Sequence, residues 1–152
     1  MNTDMTTDPR ALGHLAPVQP LRRAAEYTGE PGCIADARAL ADSFLQQLAA
    51  EWLAPLSGRR AEDVRLVVSE LVTNADRHSF GPYLLELEGE ASWLTVTVYD
   101  SSCALPYRFD RDPGRVGGHG MEIVHALCDR LTVEHVPVGK RVRAAFALGD
   151  PD

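Results

Sequence analysis

Glu70, Asn74 and His78 stand four residues apart in SELVTNADRH, threaded through the apolar Leu71, Val72 and Ala75. A carboxylate can take a proton, an amide oxygen can hold a hard cation, and an imidazole can carry charge near neutral pH. At about 100° per residue, with Val64 as zero, Val67, Val68, Leu71, Val72 and Ala75 fall within roughly 80° of zero and define a stripe to be buried. Glu70, Asn74 and His78 fall at about 240°, 280° and 320°, along one flank of that stripe. Arg65, Ser69 and Asp76 lie on the other flank, Thr73 and Arg77 point away, and Leu66 is a lone apolar residue on the outer side. A polar line at a core border can look into a ligand cleft. The solvated flank of an ordinary amphipathic helix has the same composition, and this helix alone leaves both readings open.

Two further segments bear on the choice. The run WLTVTVYD ends in Asp100, a carboxylate at a strand terminus. It could accept a hydrogen bond from an exocyclic amine, as a site that distinguishes adenine must, or it could close an Asx-type turn. In GRVGGHGMEIV, Gly117, Gly118 and Gly120 precede an apolar-periodic helix. Backbone amides in such a turn, with the helix N-terminus, can hold phosphate without basic side chains. The turn is neither a P-loop nor a Rossmann fingerprint, because both spacings are absent. His119, Glu122 and His125 lack the H-E-x-x-H spacing of a zinc helix, and Ser69, Ser101 and Ser102 lack a nucleophile elbow.

The elements that must position these groups follow from periodicity. LRRAAEYTG is expected to be a short first strand, and Gly32–Trp52 a helix with an apolar stripe from Ile34 to Trp52. APLSGRR breaks the chain before a second helix from about Ala61 to His78. GPYLLELEGEASWLTVTVYD reads as two strands joined at EGEAS, a Ser-, Pro-, Asp- and Gly-rich loop runs from Asp100 to Gly118, and a third helix follows. LTVEHVPVGKRVRAAFAL closes as a hairpin turning near PVGK. Hairpin-joined strands imply an α/β (α+β) two-layer sandwich, with a mixed, mainly antiparallel sheet and helices on one face. Residues 1–20 read as a disordered or loosely attached tail, ahead of one domain over 21–149.

Composition narrows the class. The chain has 152 residues, 45% hydrophobic and 24% charged, which is the make-up of a soluble globular domain. A net charge of −7 argues against a nucleic-acid binder. Cys33, Cys103 and Cys128 have no disulfide or zinc spacing. No signal peptide and no membrane-length apolar run is present, so a cytoplasmic location without membrane contact is expected. Lys140 is the only lysine.

Taken together, VVSELVTNADRH, VTVYDSSCALPYR, GGHGMEIV and GKRVRAAF, in that order and spacing, resemble a known family over roughly residues 21–148. It is the GHKL (Bergerat-fold) ATP-binding domain shared by gyrase, heat-shock protein ninety, histidine kinases and DNA-mismatch proteins. The chain is more closely similar to the actinobacterial anti-sigma factor serine/threonine kinases. The resemblance implies that Glu70 is the general base toward a serine or threonine hydroxyl, and that Asn74 is the magnesium ligand. It places His78 near the phosphates and Asp100 at the adenine. Gly118, His119, Gly120 and Met121 match the family's Gly-Arg-Gly-Leu phosphate turn. Ser102 stands where the wider superfamily has glycine, and Arg141 is read as standing where the family often has an adenine-binding threonine.

The implied cofactors are ATP and Mg2+, and the implied partners are a sigma factor and an anti-sigma antagonist. Family members are often dimers, so a homodimer is expected. The loop Ser101–Gly117 is expected to act as the ATP lid. Two rivals stand beside the kinase: a non-catalytic nucleotide-sensing module that docks a regulatory partner, and a scaffold that binds no nucleotide.

Overall fold

The computed structural model describes residues 19–79, 81–102, 119–137 and 139–149. The expected lid after Ser102 and Gly118 lie outside the described residues, as does the expected tail apart from its last two positions. The elements are β1 (Leu21–Tyr27), α1 (Cys33–Glu51), α2 (Gly58–His78), β2 (Tyr83–Glu90), β3 (Trp93–Asp100), α3 (His119–Leu127), β4 (Arg130–Val136) and β5 (Gly139–Ala147). This is the order expected from periodicity. The second helix starts earlier than expected because Ser57 caps it, its hydroxyl accepting the Arg60 amide at 3.0 Å. The breaker segment therefore contains the helix's own start signal.

The sheet order is β1-β2-β3-β5-β4, and all four pairings are antiparallel. The expected mainly antiparallel sheet is thus antiparallel throughout the described residues. Chain reversal through α3 sends β4 to an edge and lets β5 return beside β3. Strand alternation then sorts side chains by face. Leu94, Val96 and Val98 on β3 oppose Phe146, Ala144 and Val142 on β5, and Leu85 and Leu87 on β2 join them; all are buried. Phe44 and Leu48 of α1, Val64, Val67, Val68, Leu71, Val72 and Ala75 of α2, and Met121 and Val124 of α3 close the core on that side. The other face carries Glu86, Thr95, Thr97, Arg141 and Arg143, where the Arg143 Nε donates to Thr97 Oγ1 at 3.3 Å.

Side-chain ties lock the helices over the sheet. Arg38 of α1 donates twice to the buried Ser69 hydroxyl of α2, at 3.1 and 2.8 Å. Arg60 reaches across to the Leu127 carbonyl, Asp129 and the Ala147 carbonyl, at 3.3, 3.0 and 3.2 Å. Its guanidinium also lies over the Phe146 ring. One arginine therefore joins the start of α2 to the end of α3 and to β5.

At the other end of α2 the buried Tyr83 donates its hydroxyl to Asp76 Oδ1 at 2.9 Å and packs tilted against Tyr27. Burial, reinforced by the Asp76 hydrogen bond, pushes the Tyr83 phenol well above its usual value. A folded-state value above the unfolded one means that the stabilisation is complete below pH about 10 and is lost as pH rises beyond it. Tyr83→Phe should therefore lower stability at pH 7 by about 1–2 kcal/mol. It should also shrink the further loss above pH about 10, both read from urea denaturation across that range.

Candidate functional site

Burial of the apolar stripe fixes how α2 is rotated, and that rotation sets where its polar flank points. Glu70 and Asn74 are half-buried, while His78 at the last helical position is exposed. The line thus runs from the helix's covered middle to its open end.

Glu70 meets the start of α3. Its carboxylate lies against the bare backbone of Gly120, where an added Cβ would come within 2.5 Å of Oε1. Glycine at this position is what permits the approach. Met121, next in the chain, turns inward and is buried, anchoring the first turn of α3 in the core. His119 opens the helix, and the remainder of the glycine turn lies outside the described residues.

The far end of α2 meets the end of β3. Ser79, the residue that closes α2, places its hydroxyl 2.9 Å from the Ser101 hydroxyl and accepts the Ser101 amide at 3.3 Å. Asp100, one residue earlier, is buried on the helix-facing side. Its Oδ1 accepts the amide of the buried Ser102 at 2.8 Å, which is the Asx-type turn. The turn reading of Asp100 is the one observed, and the carboxylate also faces inward.

The other oxygen, Oδ2, faces Lys140 Nζ at 3.5 Å, and both side chains are almost wholly buried, at 1% and 2% exposure. Asp100 and Lys140 are direct cross-strand partners. They extend the inward rows by one step, so that Tyr83, Asp100 and Lys140 form the polar end of an otherwise apolar sheet face. Gly139 makes the approach possible. Its φ is +148°, and a Cβ there would overlap the Asp100 carbonyl oxygen.

The residues expected from sequence are therefore only partly brought together. Glu70, Gly120 and Met121 share the α2–α3 junction, with Asn74 one turn further along α2, while Asp100 and Ser102 share the strand end tied to α2 through Ser79. Arg141 does not join them. It pairs across the strands with Tyr99, on the face away from the helices, and its guanidinium is ion-paired with Glu134. Lys140 takes the inward place instead. The signal for it was available, because Lys140, Val142, Ala144 and Phe146 share one strand phase and Arg141 is out of it; a one-residue slip inverts every assignment along a strand.

Among the described residues, a five-stranded antiparallel sheet covered on one side by three helices is the architecture of a GHKL-type α+β sandwich. Residues 34–146 match the histidine kinase-like ATPase domain, and the chain belongs to that family. It is similar to the sensor histidine kinase PdtaS of Mycobacterium tuberculosis, in two strains, at 33% identity over 60% of this chain and 22% of the kinase. The fold is also that of a solved structure of the RsbU and RsbW domains of Rv1364c from the same organism. That match has a TM-score of 0.57 and 17% identity, over 90% of this chain and 34% of the other. The chain thus spans about a fifth of the curated relatives' length and a third of the solved one. No described helix is long and apolar enough to cross a membrane.

The Asp100–Lys140 pair has a thermodynamic consequence. Removing one member of a buried pair strands the other charge, at a cost of about 3–5 kcal/mol, whereas replacing both by neutral groups is often tolerated. Asp100→Asn should therefore destabilise the fold by about that much. Asp100→Asn combined with Lys140→Met, which keeps an acceptor for the Ser102 amide, should return to within about 1–2 kcal/mol of the parent in chemical denaturation.

Proposed function

We propose that residues 21–149 form a Mg·ATP-binding regulatory domain of the anti-sigma serine/threonine kinase type, working in the cytoplasm. In this reading it phosphorylates a serine or threonine on an anti-sigma antagonist and sequesters a sigma factor. The observation that carries the proposal is Glu70: a half-buried carboxylate held against Gly120, at the opening of α3, with Asn74 one turn further along the same flank. Family membership and the likeness to a structure containing an RsbW domain support it.

The residues present fit the nucleotide. Asp100 offers an inward carboxylate for the base, and Gly120 leaves backbone bare where phosphates would be wrapped. The Asn74 amide oxygen would hold magnesium. ATP would supply the phosphoryl group, with magnesium offsetting its charge. Glu70 would take the proton from the attacking hydroxyl, and His78 and His119 would sit toward the phosphates. The protein's share of such chemistry is positioning and charge neutralisation.

A second reading is a nucleotide-sensing module that docks a partner without phosphorylating it. Glu70→Ala separates the two. With a cognate antagonist and labelled ATP, the kinase reading expects phosphate transfer to fall by about 100-fold or more, the scale of a lost general base, while Mg·ATP affinity stays within about threefold. Transfer at the parent rate would remove Glu70 from catalysis. A parent protein that binds Mg·ATP without any transfer to its antagonist would establish the module instead.

A further inference from the structure

The sheet has two edges, and they are finished differently. At β1 the inward row includes Arg23, which lies opposite the buried Leu87 and hydrogen-bonds Gln47 of α1. An inward-pointing charge blunts an edge strand against further pairing. At the other edge, the centre of β4 carries no such charge. Leu131, Thr132 and Val133 are uncharged, and the strand RLTVEHV holds no proline, glycine or lysine. Its register with β5 runs unbroken from Arg130 to Val136. Leu131 and Val133 lie opposite the buried Ala144 and Val142, yet both are only half-buried. Among the described residues, the helix layer stops short of β4 and no strand pairs with its outer side.

We propose that the β4 edge is an interaction surface for a second copy of this chain, the two β4 strands pairing antiparallel about a two-fold axis at Thr132. The inference goes beyond the nucleotide reading and needs no part of it. The side chains of β4 select the arrangement. Arg130, Thr132 and Glu134 share the face away from the helices, and Leu131 and Val133 share the face toward them. The outer row of a single strand therefore reads positive, neutral, negative. An antiparallel copy centred on Thr132 sets each Arg130 opposite Glu134 of the second copy, and each Leu131 opposite its Val133, so that both faces match. A parallel copy in the same register would set like charges against each other. A slip of two residues in either direction breaks the match of Arg130 with Glu134. Arg130 is exposed. Glu134 already holds Arg141 of its own chain, and a carboxylate has acceptor sites for a second arginine. Pairing would occupy the open backbone groups of the edge, and it would lay the half-buried Leu131 and Val133 of the two copies against each other.

One short strand is a small contact beside a standard interface, so association should be reversible, with a Kd on the order of 10–100 μM. The test combines sedimentation equilibrium of the full chain with disulfide trapping of cysteine substitutions under mild oxidation. Thr132→Cys lies on the axis and should give a covalent dimer well above the parent's background. Arg130→Cys alone should not, because the two symmetry-related positions lie about 13 Å apart along the paired strands, beyond the roughly 7 Å that a disulfide spans. Mixed with Glu134→Cys, it should. Arg130→Glu sets carboxylate against carboxylate at both symmetry-related contacts and should weaken dimerisation about tenfold. A parent that stays monomeric up to about 1 mM would overturn the proposal. So would a dimer that Arg130→Glu leaves unchanged, or one that Thr132→Cys does not trap. A monomer whose β4 amides resist hydrogen exchange on both sides would give the edge to another segment of the same chain, and would overturn it too. The parent's mass needs no substitution, and Arg130 and Thr132 are exposed, so a loss of folding in one variant leaves the test intact.

Discussion

Val64, Val67, Val68, Leu71, Val72 and Ala75 cannot be withdrawn from water together unless α2 lies on the sheet in one rotation about its axis. At roughly 25 cal/mol per Å2 of apolar surface, six buried aliphatic side chains outweigh any preference of the polar residues between them. The orientation of Glu70, Asn74 and His78 is thus a by-product of core packing. Arg38 on Ser69 and Arg60 on Asp129 then pin the helix laterally, from the flank opposite Glu70 and from the helix start. A site built this way needs no strained loop to aim its carboxylate. It needs only that the neighbouring backbone be thin enough to receive it, which Gly120 provides.

The same logic, with the opposite sign, governs the strand end. Along β3 and β5 the inward rows are apolar until the last pair, where they become Asp100 and Lys140. A hydrophobic core would ordinarily end in solvent at such a point. Here it ends in two charged groups still shielded from water, flanked by Tyr83 on the adjacent strand and tied to α2 through Ser79 and Ser101. Polar groups in a low-dielectric setting discriminate sharply, because a mismatched ligand leaves one of them unsatisfied. The fold therefore carries a half-buried carboxylate at the middle of α2 and a buried charged pair at the sheet's end.

Much of this was legible in the residues. The helical stripe, the hairpins and the chain order follow from periods of 3.6 and 2, which survive into the structure because each element buries one face. Those periods put Glu70 and Asn74 on one flank of α2 and Asp100 at a strand end, whereas their roles follow only from the family resemblance. What escaped was register. Lys140 and Arg141 are adjacent, both basic, and both in a strand that was correctly assigned, yet only the alternation decides which one faces the helices. That alternation was visible in Val142, Ala144 and Phe146, but the family resemblance, aligned at GK, points to Arg141. The closeness of Gly139 to Asp100 lay further out of reach, since it depends on a contact between segments about 40 residues apart.

On the nucleotide-binding reading, the distribution of charge also limits how the site can work. The described flank of α2 offers a carboxylate, an amide and an imidazole; of the helix's four arginines, Arg60 and Arg65 are in ion pairs with Asp129 and Asp42, and Arg59 and Arg77 are exposed. The one buried ammonium is matched to Asp100 at the sheet's end. A polyphosphate brought beside Glu70 would meet negative charge there, so a hard cation at Asn74 becomes a condition of binding and not merely an aid to the reaction.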